Sequence, residues 1–307
     1  MVRWLYFLWL VHSKLLKCRV TPSNSTVPRS IRLRWRWRRM GVDIQVLRFL
    51  LRSRSAASFD SFLMLGRQCH VSADDLRKEL RQSKSAPADI RSAIAEAQQS
   101  RFVEPILKLL GARQIESLDF SNYEQATIVQ AMNEAIPDSL KGKFSCVLDG
   151  GTLEHVFNFP QAIKNAMEIV AIGGHFLRVV PANNFSGHGF YQVSPDLYWR
   201  IFSEPNGYEV EEMTVCEARH DAPCYLIDDP AKLGRRVQFT NSRPAYLMVR
   251  ARRLRRAEIF KSIPQQTYYA ATWSSQTGTA SPLSDAKTCG IGQNENCRNR
   301  SRESCDR

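Results

Sequence analysis

Apolar and polar positions alternate between strand-like and helix-like spacing from Phe59 to Ala251. Ahead of that stretch, Val42, Ile44, Val46, Leu47, Leu50 and Leu51 fall mostly on one helical face, as in an element that covers a core. Ser61–Leu65 is a continuous apolar run, expected of a strand covered on both faces, and Gly66 ends it. Ser72, with Asp75 three residues on, opens a helix. Pro87–Leu110 continues with helical spacing, a break before Pro105 and Gly111 as terminator. Gln114–Leu118, Ala126–Met132 and Phe144–Leu148 are predicted as the second, third and fourth strands. Asn158–Val170 is predicted as a helix with Pro160 in its first turn, stopped by Gly173-Gly174 before a fifth strand, His175–Val180. Tyr208–Ala218 and Ala245–Ala251 alternate in part, as an antiparallel pair does.

Strands separated by helices predict an α/β fold: a mostly parallel sheet with helices on both faces and a C-terminal antiparallel hairpin. Ligands of such sheets bind at the carboxyl ends of the strands. Gly66 follows the first strand and lets backbone approach a ligand; Asp119 follows the second, where a carboxylate can accept both hydrogen bonds of a ribose diol. Asp149-Gly150-Gly151-Thr152-Leu153-Glu154-His155 follows the fourth and sets three ionisable groups on a sharp turn. Alone, Gly66 reads better as a plain turn and Asp119 as a helix-cap or loop carboxylate; their recurrence at successive strand ends shifts the balance toward a nucleoside site. The connector after the fifth strand, 181–192, is rich in polar and aromatic residues, and His188 stands between two glycines as a mobile acid/base group.

Charge changes the picture little. The net charge is +13, but residues 1–40 hold ten Lys or Arg and no acid, leaving 33 basic and 30 acidic groups on the rest. A basic patch on a folded domain signals nucleic acid; here the excess sits on a terminal arm, so nucleic acid is not the expected partner. The apolar run Trp4–Val11 is too short to span a bilayer. Residues 1–39 therefore stand as a membrane-surface arm, a nucleic-acid arm or an inert extension ahead of a start at Met40. Eight cysteines show neither a C-x-x-C pair nor zinc spacing, so a reduced, cytoplasmic protein without disulfides or metal is expected. From 262 onward the composition predicts a disordered tail, which leaves 40–261 as the domain.

The segment Phe144–Val156, followed by Pro160, Asn165 and Ile172-Gly-Gly-His-Phe-Leu177, resembles the latter half of class I S-adenosylmethionine-dependent methyltransferases. The similarity spans roughly 59–251, and Leu63–Gln68, Asn122–Thr127 and Asn184–Gln192 resemble a little-characterised bacterial branch. The resemblance implies a Rossmann-like methyltransferase sheet and S-adenosylmethionine as cofactor, held by Gly66, Arg67, Asp119, Asn133, Asp149, Gly150, Gly151, Thr152 and Leu153. The resemblance implies no particular substrate; the residues themselves are read as methyl transfer to an oxygen or nitrogen of a small, sugar-like molecule, with His188, His155 and Glu154 as catalytic candidates. The family's glycine-rich first loop is reduced here to Leu65-Gly66-Arg67-Gln68, so a non-catalytic scaffold on the same fold is the alternative.

Overall fold

A computed structural model describes residues 41–69, 90–276 and the pair 289–290. The arm 1–39 and the helix expected from Ser72 lie outside the described residues. Asp43 caps the first helix, α1 (Ile44–Ser53), its carboxylate accepting from the amides of Gln45 and Val46 at 2.9 and 3.1 Å. There follow β1 (Ser61–Leu65), α2 (Ile90–Ser100), α3 (Glu104–Leu109), β2 (Gln114–Asp119), β3 (Ile128–Val129), β4 (Phe144–Asp149), α4 (Phe159–Ile169) and β5 (Val170–Pro181). The second half holds α5 (Pro195–Ile201), β6 (Tyr208–Glu217), β7 (Cys224–Leu226), α6 (Pro230–Leu233), β8 (Phe239–Thr240), β9 (Ala245–Arg253), α7 (Thr267–Gln276) and β10 (Cys289–Gly290).

Eight strands form one sheet in the order β3-β2-β1-β4-β5-β9-β6-β7, and β8 pairs with β10 apart from it. The pairings from β3 across to β5 are parallel, whereas β9 runs antiparallel to both β5 and β6. This is the expected sheet with its closing hairpin. Strand side chains alternate between two cores. Phe62 and Met64 join α1, α2 and α3 in one, while Leu63 and Leu65 join α4 and α5 in the other. Helices thus cover both faces, and the apolar runs follow from that double burial.

Several elements differ from their sequence-based bounds. The third strand shrinks from seven residues to Ile128–Val129. Between α2 and α3 the chain breaks at Arg101–Val103, just ahead of the break expected before Pro105, and Arg101 takes a positive φ of 66°. β5 starts at Val170, so the glycine pair lies inside the strand rather than ending a helix. The register shifts there between Phe144 and Cys146, and a Cβ at Gly174 would lie 2.7 Å from the Ser145 carbonyl. Gly174 is needed for close strand approach, not for helix termination.

The chain beyond 262 is not wholly without order: α7 starts at Thr267, which is buried and hydrogen-bonds Asp196 of α5 through its amide at 2.9 Å and through its hydroxyl. The expectation of unpaired cysteines is also corrected, because Cys216 and Cys224 form a disulfide. They are direct partners across β6 and β7, with Cα atoms 4.4 Å apart, a pairing that only the hairpin register creates. Cys146 is a buried free thiol. Among the described residues no helix is long and apolar enough to cross a membrane.

Candidate functional site

Parallel pairing brings the carboxyl ends of β2, β1, β4 and β5 side by side. Leu65 lies opposite both Leu118 and Asp149, and Asp149 lies opposite Arg178. The alternation that directs Phe176 and Val180 toward the α4–α5 core directs Arg178 there too. Its guanidinium is fully buried and ion-paired with Asp149; it also donates to the Tyr198 hydroxyl and lies 5.7 Å from the centre of the Phe159 ring. Asp149 Oδ1 accepts from the amides of Gly151 and Thr152 at 3.2 and 2.8 Å. The carboxylate is therefore consumed in holding the turn and is not presented to a ligand.

Two glycines at this turn are closely approached by side chains, and for Gly66 the backbone conformation requires glycine as well. Gly66 has φ 69°, and a Cβ there would come within 2.5 Å of Thr152 Oγ1. Thr152 in turn donates to the Leu65 carbonyl at 2.7 Å. A Cβ on Gly150 would lie 2.8 Å from Gln68 Oε1. Gln68 is buried, its amide donating to the carbonyls of Leu65 and Gly66 at 3.1 and 3.2 Å. The space between the first-strand loop and the fourth-strand turn is thus filled by the Gln68 side chain.

Other candidates are dispersed. Arg67 turns toward α3, its Nε 2.6 Å from Glu104 Oε1 and its guanidinium 3.8 Å from the Phe102 ring centre. Leu153 is part of the core, which removes its side chain from any ligand surface. Asn133 accepts from the Asn158 amide at 2.9 Å and so brackets the start of α4. Asp119 stays at the end of β2, where Oδ1 accepts from the Phe120 amide at 2.6 Å; its second oxygen takes no hydrogen bond among the described residues.

Glu154, His155 and His188 do come together. Glu154 is fully buried, with Oε2 3.5 Å from Arg178 and Oε1 3.6 Å from His188 Nε2. The rings of His155 and His188 meet edge to face at 5.0 Å. One ligand-capable atom from each of the three lies within 4.8 Å of the others. Burial lowers the His155 pKa below its usual value, partly opposed by the Glu154 charge and reinforced by His188. The connector after β5 forms the roof of this group: the amides of Phe190 and Tyr191 donate to the Glu154 carbonyl at 2.9 and 3.3 Å. A Cβ on Gly189 would meet Glu154 at 3.0 Å, so a glycine is needed where the roof touches the turn. Phe157 and Phe190, 75% and 69% exposed, meet edge to face beside it.

Arg178 is the site residue that sequence reasoning missed. The available signal was a lone cation inside the apolar run Phe176–Val180, which requires a buried counter-charge.

No family model matches the sequence, and no curated protein matches it. Among solved structures the chain is similar to the N-methyltransferase NodS from Bradyrhizobium japonicum, at 12% identity and TM-score 0.38 over 69% of this chain and 96% of that one. A SAM-dependent methyltransferase from Thermotoga maritima gives 14% identity and TM-score 0.36 over 68% and 92%. The branched-chain polyamine synthase mutein from Thermus thermophilus, solved with N4-aminopropylspermidine and 5'-methylthioadenosine, gives 12% and 0.36 over 72% of this chain. The match spans 58% of that synthase's length. The chain has a class I methyltransferase-like fold, an assignment that rests on strand order and direction.

Proposed function

We propose that the protein transfers the methyl group of S-adenosylmethionine to an oxygen or nitrogen of a small, sugar-like acceptor. The observation that carries this reading is the Glu154–His155–His188 group, roofed by the connector, one strand end away from a ligand floor on β1 and β2. The ribose end fits the residues present: Asp119 has an oxygen to offer at the end of β2. At the methionine end the cradle is filled by side chains, not backbone: Gln68, flexible and held by two carbonyls, and Thr152, held by the Leu65 carbonyl; rotation of Gln68 would open the part in front of Gly150. The cofactor supplies an already activated methyl group, so the chain's work is alignment and handling of the acceptor's proton. Asp119 would hold the ribose, and Gly66, Asn133 and the backbone of the 149–154 turn the rest. His188 or His155 would face the acceptor, with Phe157 and Phe190 offering it apolar faces.

Isothermal titration with S-adenosylhomocysteine tests this. The wild type is expected to bind, and Gln68→Ala to bind more tightly because the cradle is already open. Asp119→Ala should bind at least about tenfold more weakly, as loss of charge-assisted hydrogen bonds entails. Equal affinity in Asp119→Ala would remove the ribose assignment. Once an acceptor is found by screening hydroxylated and amino compounds, His188→Ala should lower turnover by about 10²–10⁴ while leaving this affinity within a few-fold.

A second reading is a cofactor-free scaffold, favoured by one observation: Gln68 and Thr152 fill the cradle in front of both glycines. Absence of binding by both the wild type and Gln68→Ala would support it.

A further inference from the structure

Charge does not balance in the buried cluster behind the roof. Asp149, Glu154 and Arg178 are all fully buried, which sets two carboxylates against one guanidinium. Asp149 has that guanidinium as a direct ion-pair partner and two amides besides. Glu154 has neither: both of its oxygens lack a hydrogen bond, and Arg178 stands off at 3.5 Å. Its Oε1 faces His188 Nε2, which is itself buried without a hydrogen-bond partner, at 3.6 Å. An ionised carboxylate withdrawn from water needs a cation or several donors. Here what faces it is a pair of imidazoles, groups that lend a lone pair to a cation as readily as a carboxylate does.

We propose that Glu154, His155 and His188 form a binding site for one divalent transition-metal ion. Two imidazole nitrogens and one carboxylate oxygen are a borderline donor set, suited to zinc, cobalt, iron or manganese and ill suited to calcium or magnesium, which prefer all-oxygen shells. The three atoms already lie within 4.8 Å of one another. Metal bonds of about 2.0–2.2 Å would require these atoms to close to about 3–3.5 Å of one another. Arg178, 3.5 Å from Glu154 and hydrogen-bonded to Tyr198, puts a positive charge behind the carboxylate, at the oxygen other than the one that faces His188. His155 is exposed and His188 half-buried, so the ion would keep open positions toward solvent. A hydroxyl or water on those positions would be polarised and would lose its proton more easily. The site goes beyond the methyl-transfer reading and needs no cofactor; with an ion bound, the two imidazoles would serve as ligands, and the polarised hydroxyl or water would replace them in handling the acceptor's proton.

The test uses the full chain stripped of metal and titrated with cobalt(II) or zinc(II), followed by the visible absorption of cobalt and by elemental analysis after dialysis. The expected result is one equivalent bound by the wild type with a cobalt–imidazole band. His155→Ala and His188→Ala should each weaken binding by tenfold or more and lose that band. Both histidines lie at the surface side of the cluster, so these variants should keep the wild-type thermal midpoint without metal; Glu154→Gln, at the buried position, is the third variant. Binding that persists in both histidine variants would belong to other residues and would overturn the proposal, as would a wild type that takes up no metal. Loss of metal binding with unchanged S-adenosylhomocysteine affinity would separate this site from the cofactor cradle.

Discussion

At the residue scale the site depends on Arg178. It lies in β5, within a run that is apolar on both sides, and its guanidinium joins two buried carboxylates to Tyr198 and to the Phe159 ring. Removing one member of a buried ion pair typically costs about 3–5 kcal/mol, because the partner is left charged and dry. Arg178→Met should therefore lower the urea-unfolding free energy by about that amount, and Arg178→Met with Asp149→Asn should recover part of it. A loss under about 1 kcal/mol would mean that water reaches the cluster. Part of this chemistry was legible in the sequence. The Asp149–His155 turn announces itself by its glycines and ionisable groups, and His188 by its place in a long polar connector. That Asp149 is spent on Arg178 was not legible, because the pairing depends on the register of β4 against β5, and no local pattern encodes a register between strands twenty-nine positions apart in the chain.

Elements with strong period or continuous apolar character were the ones the sequence revealed: β1, β4, α4, β6 and β9 all stand close to where spacing places them. Those it hid are short or defined by partners. β7 has three residues, and α5 has seven, one of them a proline, too few to show a helical stripe. The Cys216–Cys224 bond belongs to the same class, since C-x-x-C arithmetic looks along the chain and this pair meets across a hairpin. The hairpin is also held from below: Gln45 of α1 donates to the carbonyls of Arg219 and Ala222 at 2.6 and 3.3 Å. Closing a loop of about nine residues is worth roughly 2–3 kcal/mol through the unfolded chain. Replacing both cysteines with serine should lower stability by about that amount and make unfolding insensitive to thiol reductant, which should destabilise the wild type. Identical wild-type curves with and without reductant would show that the bond contributes nothing.

For the whole molecule, charge and topology divide cleanly. The parallel character of the sheet follows from the alternation of strands and helices, which is why the fold class was legible in the sequence. The +13 charge says little about the domain, because ten of the basic side chains lie within residues 1–40. Deleting residues 1–39 should leave the thermal midpoint close to that of the full chain and sharply reduce retention on heparin or anionic vesicles. A large drop in midpoint would show instead that the arm packs on the domain.

The two margins of the sheet carry a different consequence. One ends in β3, only two residues long, and the other in β7, only three. An open strand edge is a template on which another chain can add, and short edges offer few rungs. β6 is ten residues long, yet β7 pairs with it only from Thr214 to Cys216. Along the remainder, Glu209, Glu211 and Glu212 and a shift of register between Val210 and Glu212 interrupt the ladder. Two devices thus share the work of keeping this margin from growing sideways into fibrils: glutamates over one half, a disulfide-stapled cover over the other. Under reducing conditions the second device is weakened, and the cover over this half would then depend on the β7 ladder and on the Gln45 hydrogen bonds.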